Sequence, residues 1–518
     1  MVTPAEKLAK SLELLKSLQN NDGLAVIRSK DFPDNDRRRL LENGFIKKVI
    51  RGWYLPCRLD EKKGDSTSWY VSFWKFCEVY LKDRFDEEWA LSPDQSLKLH
   101  AGNKTIPDQL VVRSPKGRNK VTGLIHGTSI LEIRAELPPS NEVIVKDGIR
   151  LFSVAAGLIN ATPGFFSQNQ IDARTVLSIV IDSSEVLHLL LEGGHSTIAG
   201  RLVGAFRNIG RDRIADDIRK TMKSAGYEIR VNDPFDSEFN SEILLKAKSP
   251  AVNRIHLMWD SMRETILDHF PAPPGMPENQ EKYLKEVEDG YMTDAYHSLS
   301  IEGYRVSAEM IDKVRSGKWN PDEDSKDKEH RDAMAARGYW QAFQAVRESI
   351  KKVLKENNPG TVVHDDHGDW YREMFAPSVT AGIIKASDLA GYRNAPVYIQ
   401  KSMHVPPGAS SAREMIIEFF ELLKKEKEPA VRAVLGHFMF VYIHPYLDGN
   451  GRMARFLMNV MLASGGYPWT VLPVEKRDYY MKALEDASVS QNIETFAALI
   501  AHYVQEGLKG DPVAKLKT

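Results

Sequence analysis

The chain has 518 residues, of which 42% are hydrophobic and 27% charged, so there is apolar material for several cores; at about 150 residues per domain it suggests roughly three domains. Lys plus Arg number 70 and Asp plus Glu 71, a net charge of -1, so a polyanionic partner must meet a local patch. Two cysteines, Cys57 and Cys77, exclude a disulfide scaffold and a cysteine-rich zinc site, and no apolar run nears the about 18 residues that span a membrane. The amphipathic start MVTPAEKLAKSLELLKSL lacks the apolar core of a secretion signal, so a soluble, cytoplasmic protein is expected.

Residues 1–60 predict a winged-helix-like module. Apolar residues recur at helical spacing over 5–18, Asn20 to Gly23 break the run, and a second helix over 36–42 closes at Asn43-Gly44. FIKKVIRGWYLP then alternates around Arg51-Gly52 as a hairpin does. From Arg28 to Arg58 nine basic residues stand against four acidic ones, which makes DNA phosphates a candidate partner for residues 28–58. The rival reading is a protein-contact module with a solvated charged face. Residues 61–240 predict an α+β middle domain. VTGLIHGTSILEIRAEL and NEVIVKDGIRLFS read as strands, VLSIVIDSSEVLHLLLEGG as partly helical, and the polar run NDPFDSEFNSE marks the boundary. Residues 241–518 predict an all-α domain, interrupted by the charge run WNPDEDSKDKEHRD and by one strand-like patch, APVYIQKSMHV.

The chemistry concentrates in residues 443–455, IHPYLDGNGRMAR. The apolar helix VRAVLGHFMFVYI delivers His444 at its end, and Pro445 stops it. Asp448-Gly449-Asn450-Gly451 forms a tight turn, and a new apolar helix opens from Gly451. Unpaired N–H groups and a positive dipole end make that helix start an anion site, with Arg452 and Arg455 beside it. Asp448 is placed to hold Mg²⁺ on phosphate oxygens, and His444 to take a proton from an attacking hydroxyl. Singly, a helix-end His, a turn and two arginines are common surface features. Their ordered combination points to group transfer from a nucleotide.

HPYLDGNGRMAR resembles the signature HPFx(D/E)GNGRxxR of the Fic family, with Tyr446 where Phe is usual. The resemblance implies a helical Fic domain with a small β-hairpin flap. It makes His444 the general base for a Ser, Thr or Tyr hydroxyl and Asp448 the Mg²⁺ ligand. Asn450 and the Gly451 amide, next to Gly449, would hold the α-phosphate of ATP, Arg452 the β-phosphate region and Arg455 the γ-phosphate. Gly451 favours nucleotidyl over phosphoryl transfer. The implied reaction moves AMP from ATP to a target protein, or to the chain itself, and releases pyrophosphate. AGYRNAPVYIQ, residues 390–400, resembles the family's flap, whose hairpin aligns a target peptide by β-augmentation. KRDYYMKALEDASVSQNIETFAALI resembles the closing helices, with Tyr479 or Tyr480 near the adenine.

Upstream, SLSIEG at residues 298–303 resembles the family's inhibitory helix motif (S/T)xxxE(G/N). Ser298 and Glu302 stand at i and i+4, so the hydroxyl is expected to orient the carboxylate, and Gly303 to end the helix. By the resemblance Glu302 pairs with Arg455 and blocks productive γ-phosphate binding. ENGFIKKVIRGWYLP resembles the start of abortive-infection type antitoxins that act as repressors, and the segment after it their second domain. His364-Asp365-Asp366-His367 reads as a polar loop rather than a metal site. The expectation is an autoinhibited protein adenylyltransferase. Two alternatives stay open: a hydrolase that removes AMP with Glu302 aligning water, and a DNA-binding regulator whose Fic domain senses nucleotide.

Overall fold

The computed structural model describes residues 3–19, 26–57, 65–235, 249–318, 331–511 and 514–516. They form two units, Met1–Arg254 with Tyr398–Val405, and Ile255–Val397 with Pro406–Thr518.

The first unit opens with helix Pro4–Leu18, started by a capping box between Thr3 and Glu6 and by Pro4 in the first turn. The expected break at Asn20 to Gly23 lies outside the described residues. The second helix is Asp34–Glu42. Strands β1 (Ile27–Arg28), β2 (Ile46–Ile50) and β3 (Trp53–Pro56) form an antiparallel sheet in the order β1-β3-β2. The expected hairpin is therefore β2–β3. Leu15, Ile27, Phe32, Leu40, Ile46 and Tyr54 make its small core.

Much of the local basic excess is already matched by carboxylates. Arg28 and Lys30 reach Asp83, Arg37 pairs with Asp34, Arg38 with Glu42 and Arg39 with Asp36. Lys48 and Arg51 stay exposed on the hairpin. A guanidinium that already holds a carboxylate releases fewer counterions when it meets a phosphate, so the ion pairs reduce the charge offered to DNA.

Next come a four-stranded sheet and a separate hairpin. β4 (Ala90–Leu91), β5 (Gln109–Ser114), β6 (Lys120–Gly123) and β7 (Ser129–Arg134) run in the order β4-β5-β7-β6, with β5 and β7 parallel. β8 (Val143–Lys146) pairs with β9 (Ile149–Phe152). Helix Thr67–Phe85 supplies Trp69, Phe73, Phe76 and Phe85 to the core beneath. Val49, Trp53 and Leu55 of the β2–β3 hairpin enter that same core, and Trp53 meets Phe76 edge-on at 5.8 Å. The boundary expected at residue 60 is therefore not a boundary between cores, because the hairpin has two apolar faces and buries one on each side. Helices from Val154 to Ser224 follow, around Leu158, Phe166, Val176, Leu190, Leu202 and Phe206.

The boundary expected at 240–241 lies outside the described residues. The division between units falls instead after Arg254, inside helix Pro250–His269. Arg254 is buried on Asp172 of the first unit, and a buried guanidinium has to stay with its carboxylate.

Among the described residues the second unit is helical throughout. Helix Pro429–Ile443 is buried on nearly every side and pairs closely with Asn450–Ala463. A helix that is apolar all round belongs at the centre of a bundle. Two expectations need correction here. The HDDH run is no loop, since it lies inside helix Pro359–Thr380, whose first turn is capped by Asn358. The flap is no hairpin, because residues 390–408 contain no strand. Pro396, Pro406 and Pro407 remove ladder donors at both ends, and Lys401 sits at φ 63° in the middle. Tyr398–Val405 joins the first unit, where the Ile106 N–H donates to Met403 O at 3.0 Å. No preformed edge strand is there for β-augmentation. No helix among the described residues is long and apolar enough to cross a membrane.

Trp69 tests the core of the first unit. It is fully buried, and its Nε1–H donates to Thr128 Oγ1 at 3.0 Å. Trp69→Ala should cost about 3–5 kcal/mol, and Thr128→Val, which strands the indole donor, about 1–3 kcal/mol. The measurement is the shift in chemical denaturation midpoint. Costs in the reverse order would mean that the hydrogen bond, not the ring's volume, fixes this core.

Candidate active site

Helix Pro429–Ile443 ends where His444 turns to φ 53°, ψ 60°, a left-handed backbone that costs about 1–2 kcal/mol for a residue with a side chain. Pro445 follows and cannot continue the helix. His444 Nδ1 lies 3.1 Å from Val441 O. A carbonyl only accepts, so Nδ1–H donates and Nε2 keeps its lone pair. His444 keeps some exposure, yet burial pushes its pKa down to about 4; the Val441 bond opposes the fall and Arg393 adds to it. The ring is neutral at pH 7, with Nε2 free to take a proton.

The turn after it is stapled from inside. Asn450 Oδ1 accepts the Tyr446 N–H at 3.0 Å, and Asn450 Nδ2 donates to Tyr446 O at 2.9 Å. Both polar atoms of that buried side chain are engaged in the loop. One of the two Nδ2–H donors holds the Tyr446 carbonyl, which leaves the other and the Asn450 backbone N–H to face an anion. Tyr446 is buried and stacks on Tyr371 at 3.9 Å, so the Tyr-for-Phe departure is absorbed by packing. Gly449 stands at φ 81°, and a Cβ there would meet Phe375 at 2.8 Å. Only glycine fits both conditions.

Helix Asn450–Ala463 then presents two buried guanidinium groups. Arg452 lies between the rings of Tyr304 and Phe375, 5.2 and 5.1 Å from their centroids, with Asp448 3.5 Å from Nη2. Arg455 is held by helix Tyr291–Ile301 and its C-cap residue Glu302. Its Nη2 meets Glu302 Oε1 at 2.7 Å, its Nε donates to Ser298 Oγ at 2.8 Å and its Nη2 to Ser298 O at 3.1 Å. Burial works against the charge, but the Glu302 carboxylate outweighs it and holds the guanidinium above its ordinary pKa. The expected Ser298 role changes accordingly, since the hydroxyl acts on Arg455, the same cation that Glu302 grips. Gly303 ends the helix at φ 87°, with Tyr304 N–H on Leu299 O and Gly303 N–H on Ser300 O, the paired bonds of a Schellman motif.

The glutamate also lies against the start of the motif helix. A Cβ added to Gly451 would collide with Glu302 Oε1, so the carboxylate sits over the first turn of the motif helix. Arg452 Nε and Arg455 Nη1 are buried with no hydrogen-bond partner among the described residues. Unpaired guanidinium donors beside a helix start suit a multiply charged anion with oxygens in several directions.

Asp448 is largely exposed, and its Oδ1 accepts the Gly449 N–H at 2.6 Å. No group of three or more His, Cys, Asp or Glu among the described residues is placed to hold a metal. One open carboxylate fits Mg²⁺ only if a nucleotide supplies further oxygens, which is how this ion is commonly bound. Of the tyrosines expected near the adenine, Tyr479 is exposed, while Tyr480 is buried and its hydroxyl lies 2.7 Å from His437 Nε2.

Several site residues lie outside any sequence motif. Tyr304 and Phe375 sandwich Arg452 from two distant parts of the chain. Asp294 stands one turn before Ser298 on the same helix face, so its spacing was a readable sign. It is fully enclosed, and Tyr339 O–H donates to its Oδ2 at 2.6 Å.

Comparison with known proteins gives the site its family. Residues 365–462 match the model of the Fic/DOC family. The chain thus contains a Fic-family domain, and HPYLDGNGRMAR lies within it. It is 28% identical over 224 residues to a protein named protein adenylyltransferase Fic from Drosophila grimshawi, covering 42% of each chain. It is 27% identical over 273 residues to the protein of that name from Drosophila mojavensis, covering 52% of this chain and 50% of that one. The chain thus spans about half, or less, of the length of these relatives. A segment of Fic-1 from C. elegans superposes with a TM-score of 0.37 at 18% identity, covering 65% of this chain and 94% of that one.

Burial pushes the Asp294 carboxyl up to about 6, against the pull of Tyr339 and Arg455. Between an unfolded value near 4 and about 6 the folded chain binds the extra proton, so this group's contribution to stability falls as pH rises through that window. Asp294→Asn keeps an acceptor for Tyr339 and removes the titration. The melting temperature of Asp294→Asn minus that of the wild type should therefore rise between pH 4 and pH 7. A difference flat with pH would show that Asp294 keeps an ordinary carboxylate pKa.

Proposed function

We propose that this protein is an autoinhibited protein adenylyltransferase, which moves AMP from ATP to a hydroxyl of a target protein or of itself. The observation that carries the reading is the Arg455 guanidinium, buried at the start of the motif helix and gripped by Glu302 at 2.7 Å. The relatives' name, protein adenylyltransferase Fic, gives the transfer its class.

In this reading ATP lays its phosphates along the first turn of helix Asn450–Ala463. Backbone N–H groups and the spare donors of Arg452 and Arg455 bind their oxygens. Neutral His444 takes the proton of the incoming hydroxyl at Nε2 while that oxygen attacks the α-phosphorus. The new P–O bond replaces the bond to the bridging oxygen, and pyrophosphate leaves with that electron pair. A bound Mg²⁺ would neutralise phosphate charge, with Asp448 as its protein ligand. Glu302 inhibits in two ways. It occupies the cation that the terminal phosphate needs, and it places a negative charge over Gly451. ATP that enters beside it sits with its α-phosphate out of line, and a shift of about 1 Å can cost on the order of 10²-fold in rate.

The test is transfer of labelled AMP. Glu302→Gly should raise self-modification and target modification on the order of 10²-fold. Adding His444→Ala to that variant should lower it by roughly 10²–10⁴-fold while ATP binding persists. Arg455→Ala should not mimic Glu302→Gly, because the phosphate contact goes with the inhibitor. A Glu302→Gly protein no faster than wild type would leave Glu302 as a helix-end residue only.

A further inference from the structure

Arg393 is a buried cation whose hydrogen-bond partners among the described residues are backbone carbonyls, with no carboxylate. Its Nε donates to His444 O at 2.7 Å, its Nη2 to Ile443 O at 3.4 Å and to Pro407 O at 2.5 Å, and its Nη1 to Ala395 O at 3.1 Å. Its own N–H donates to Pro445 O at 2.9 Å. Three consecutive carbonyls, those of Ile443, His444 and Pro445, thus accept from one residue. They surround the left-handed turn that presents the imidazole.

The chemistry explains why an arginine stands there. The last carbonyls of a helix lack intrahelical partners, and the helix end carries partial negative charge. A planar guanidinium with donors in a fixed fork serves several carbonyls at once, which a single ammonium cannot do. Burial and the neighbouring Arg413 pull its pKa down to about 10, which still leaves it charged at neutral pH. Arg413 in turn donates to Arg393 O at 3.4 Å and to Asn394 Oδ1, so the clamp is itself held from behind.

We infer that Arg393 is a positioning residue for the transfer reaction: by holding the carbonyls of residues 443–445 it fixes the backbone that aims His444 at the incoming hydroxyl. The inference rests on the reading of His444 as the base. It also assigns a role to the segment expected to be a flap hairpin. Its first residues form a clamp on the catalytic turn.

The test uses the full chain carrying Glu302→Gly, so that transfer is measurable. Into it go Arg393→Met, Arg393→Lys and, as a control, His444→Ala. Arg393→Met should lower kcat for AMP transfer on the order of 10²-fold. Its KM for ATP should stay within about threefold, since the phosphate contacts lie elsewhere. Arg393→Lys, which restores the charge and some of the donors, should recover part of kcat. A general loss of fold would instead lower ATP binding together with kcat. Should Arg393→Met not fold, Arg393→Lys and Arg393→Gln are compared with the parent: kcat falling in the order Arg, Lys, Gln at constant KM supports the clamp, and equal kcat overturns it. Unchanged kcat in Arg393→Met, or a loss shared equally by KM, overturns it as well. If His444→Ala leaves transfer unaltered, it is the base reading that fails; if His444→Ala lowers transfer and Arg393→Met leaves kcat unchanged, only the clamp fails.

Discussion

The Arg455 guanidinium is the point on which the site depends. It is buried 3.1 Å or less from Ser298 and Glu302, and a charge taken out of water has to keep partners. Two helices far apart in sequence, Tyr291–Ile301 and Asn450–Ala463, meet through that one requirement. Asp294 adds a second carboxyl near the same cation, fixed by Tyr339. In the proposed reading, this competition for one guanidinium makes the inhibition reversible. A phosphate that takes the place of Glu302 gives Arg455 an equivalent charged partner, so neither state leaves the cation alone.

A second constraint acts on the histidine. The left-handed backbone at residue 444 is unfavourable locally and persists because its surroundings over-determine it. Pro445 forbids the helix to continue, Asn450 staples the loop through both atoms of its amide, and Arg393 holds the carbonyls on either side. The imidazole tautomer follows from the Val441 carbonyl. The imidazole is thus oriented by backbone bonds rather than by a neighbouring acid, unlike sites where a carboxylate orients the histidine.

The first unit is built on different terms. Its basic segment is laced with carboxylates, so charge density along the sequence exceeds the charge available at the surface. The β2–β3 hairpin joins two cores, Tyr54 and Ile46 to one side and Trp53 and Leu55 to the other. A module drawn from composition alone stops at residue 60, whereas the packing runs on through helix Thr67–Phe85.

Sequence alone determined the local parts. Apolar spacing and breaking residues placed helices over 5–18 and 36–42, close to the observed Pro4–Leu18 and Asp34–Glu42, and alternation placed the β2–β3 hairpin. The ordered set His444, Asp448, Gly449, Asn450, Gly451, Arg452 and Arg455 was legible because one turn holds it. Gly303 was legible as a helix stop, and Glu302 was singled out by the resemblance of SLSIEG to the family motif. What sequence left open depends on residues far apart in the chain. Ser298 grips Arg455 rather than Glu302, Arg452 lies between Tyr304 and Phe375, and Arg393 reaches three carbonyls some fifty residues away. The flap shows the same limit from the other side. VYIQKSMHV alternates like a strand, but a strand forms only when a neighbour offers a ladder, and proline and tertiary bonds took those groups first. Periodicity reports what a segment prefers by itself; partners for buried charges and backbone donors are chosen only when the chain closes around them.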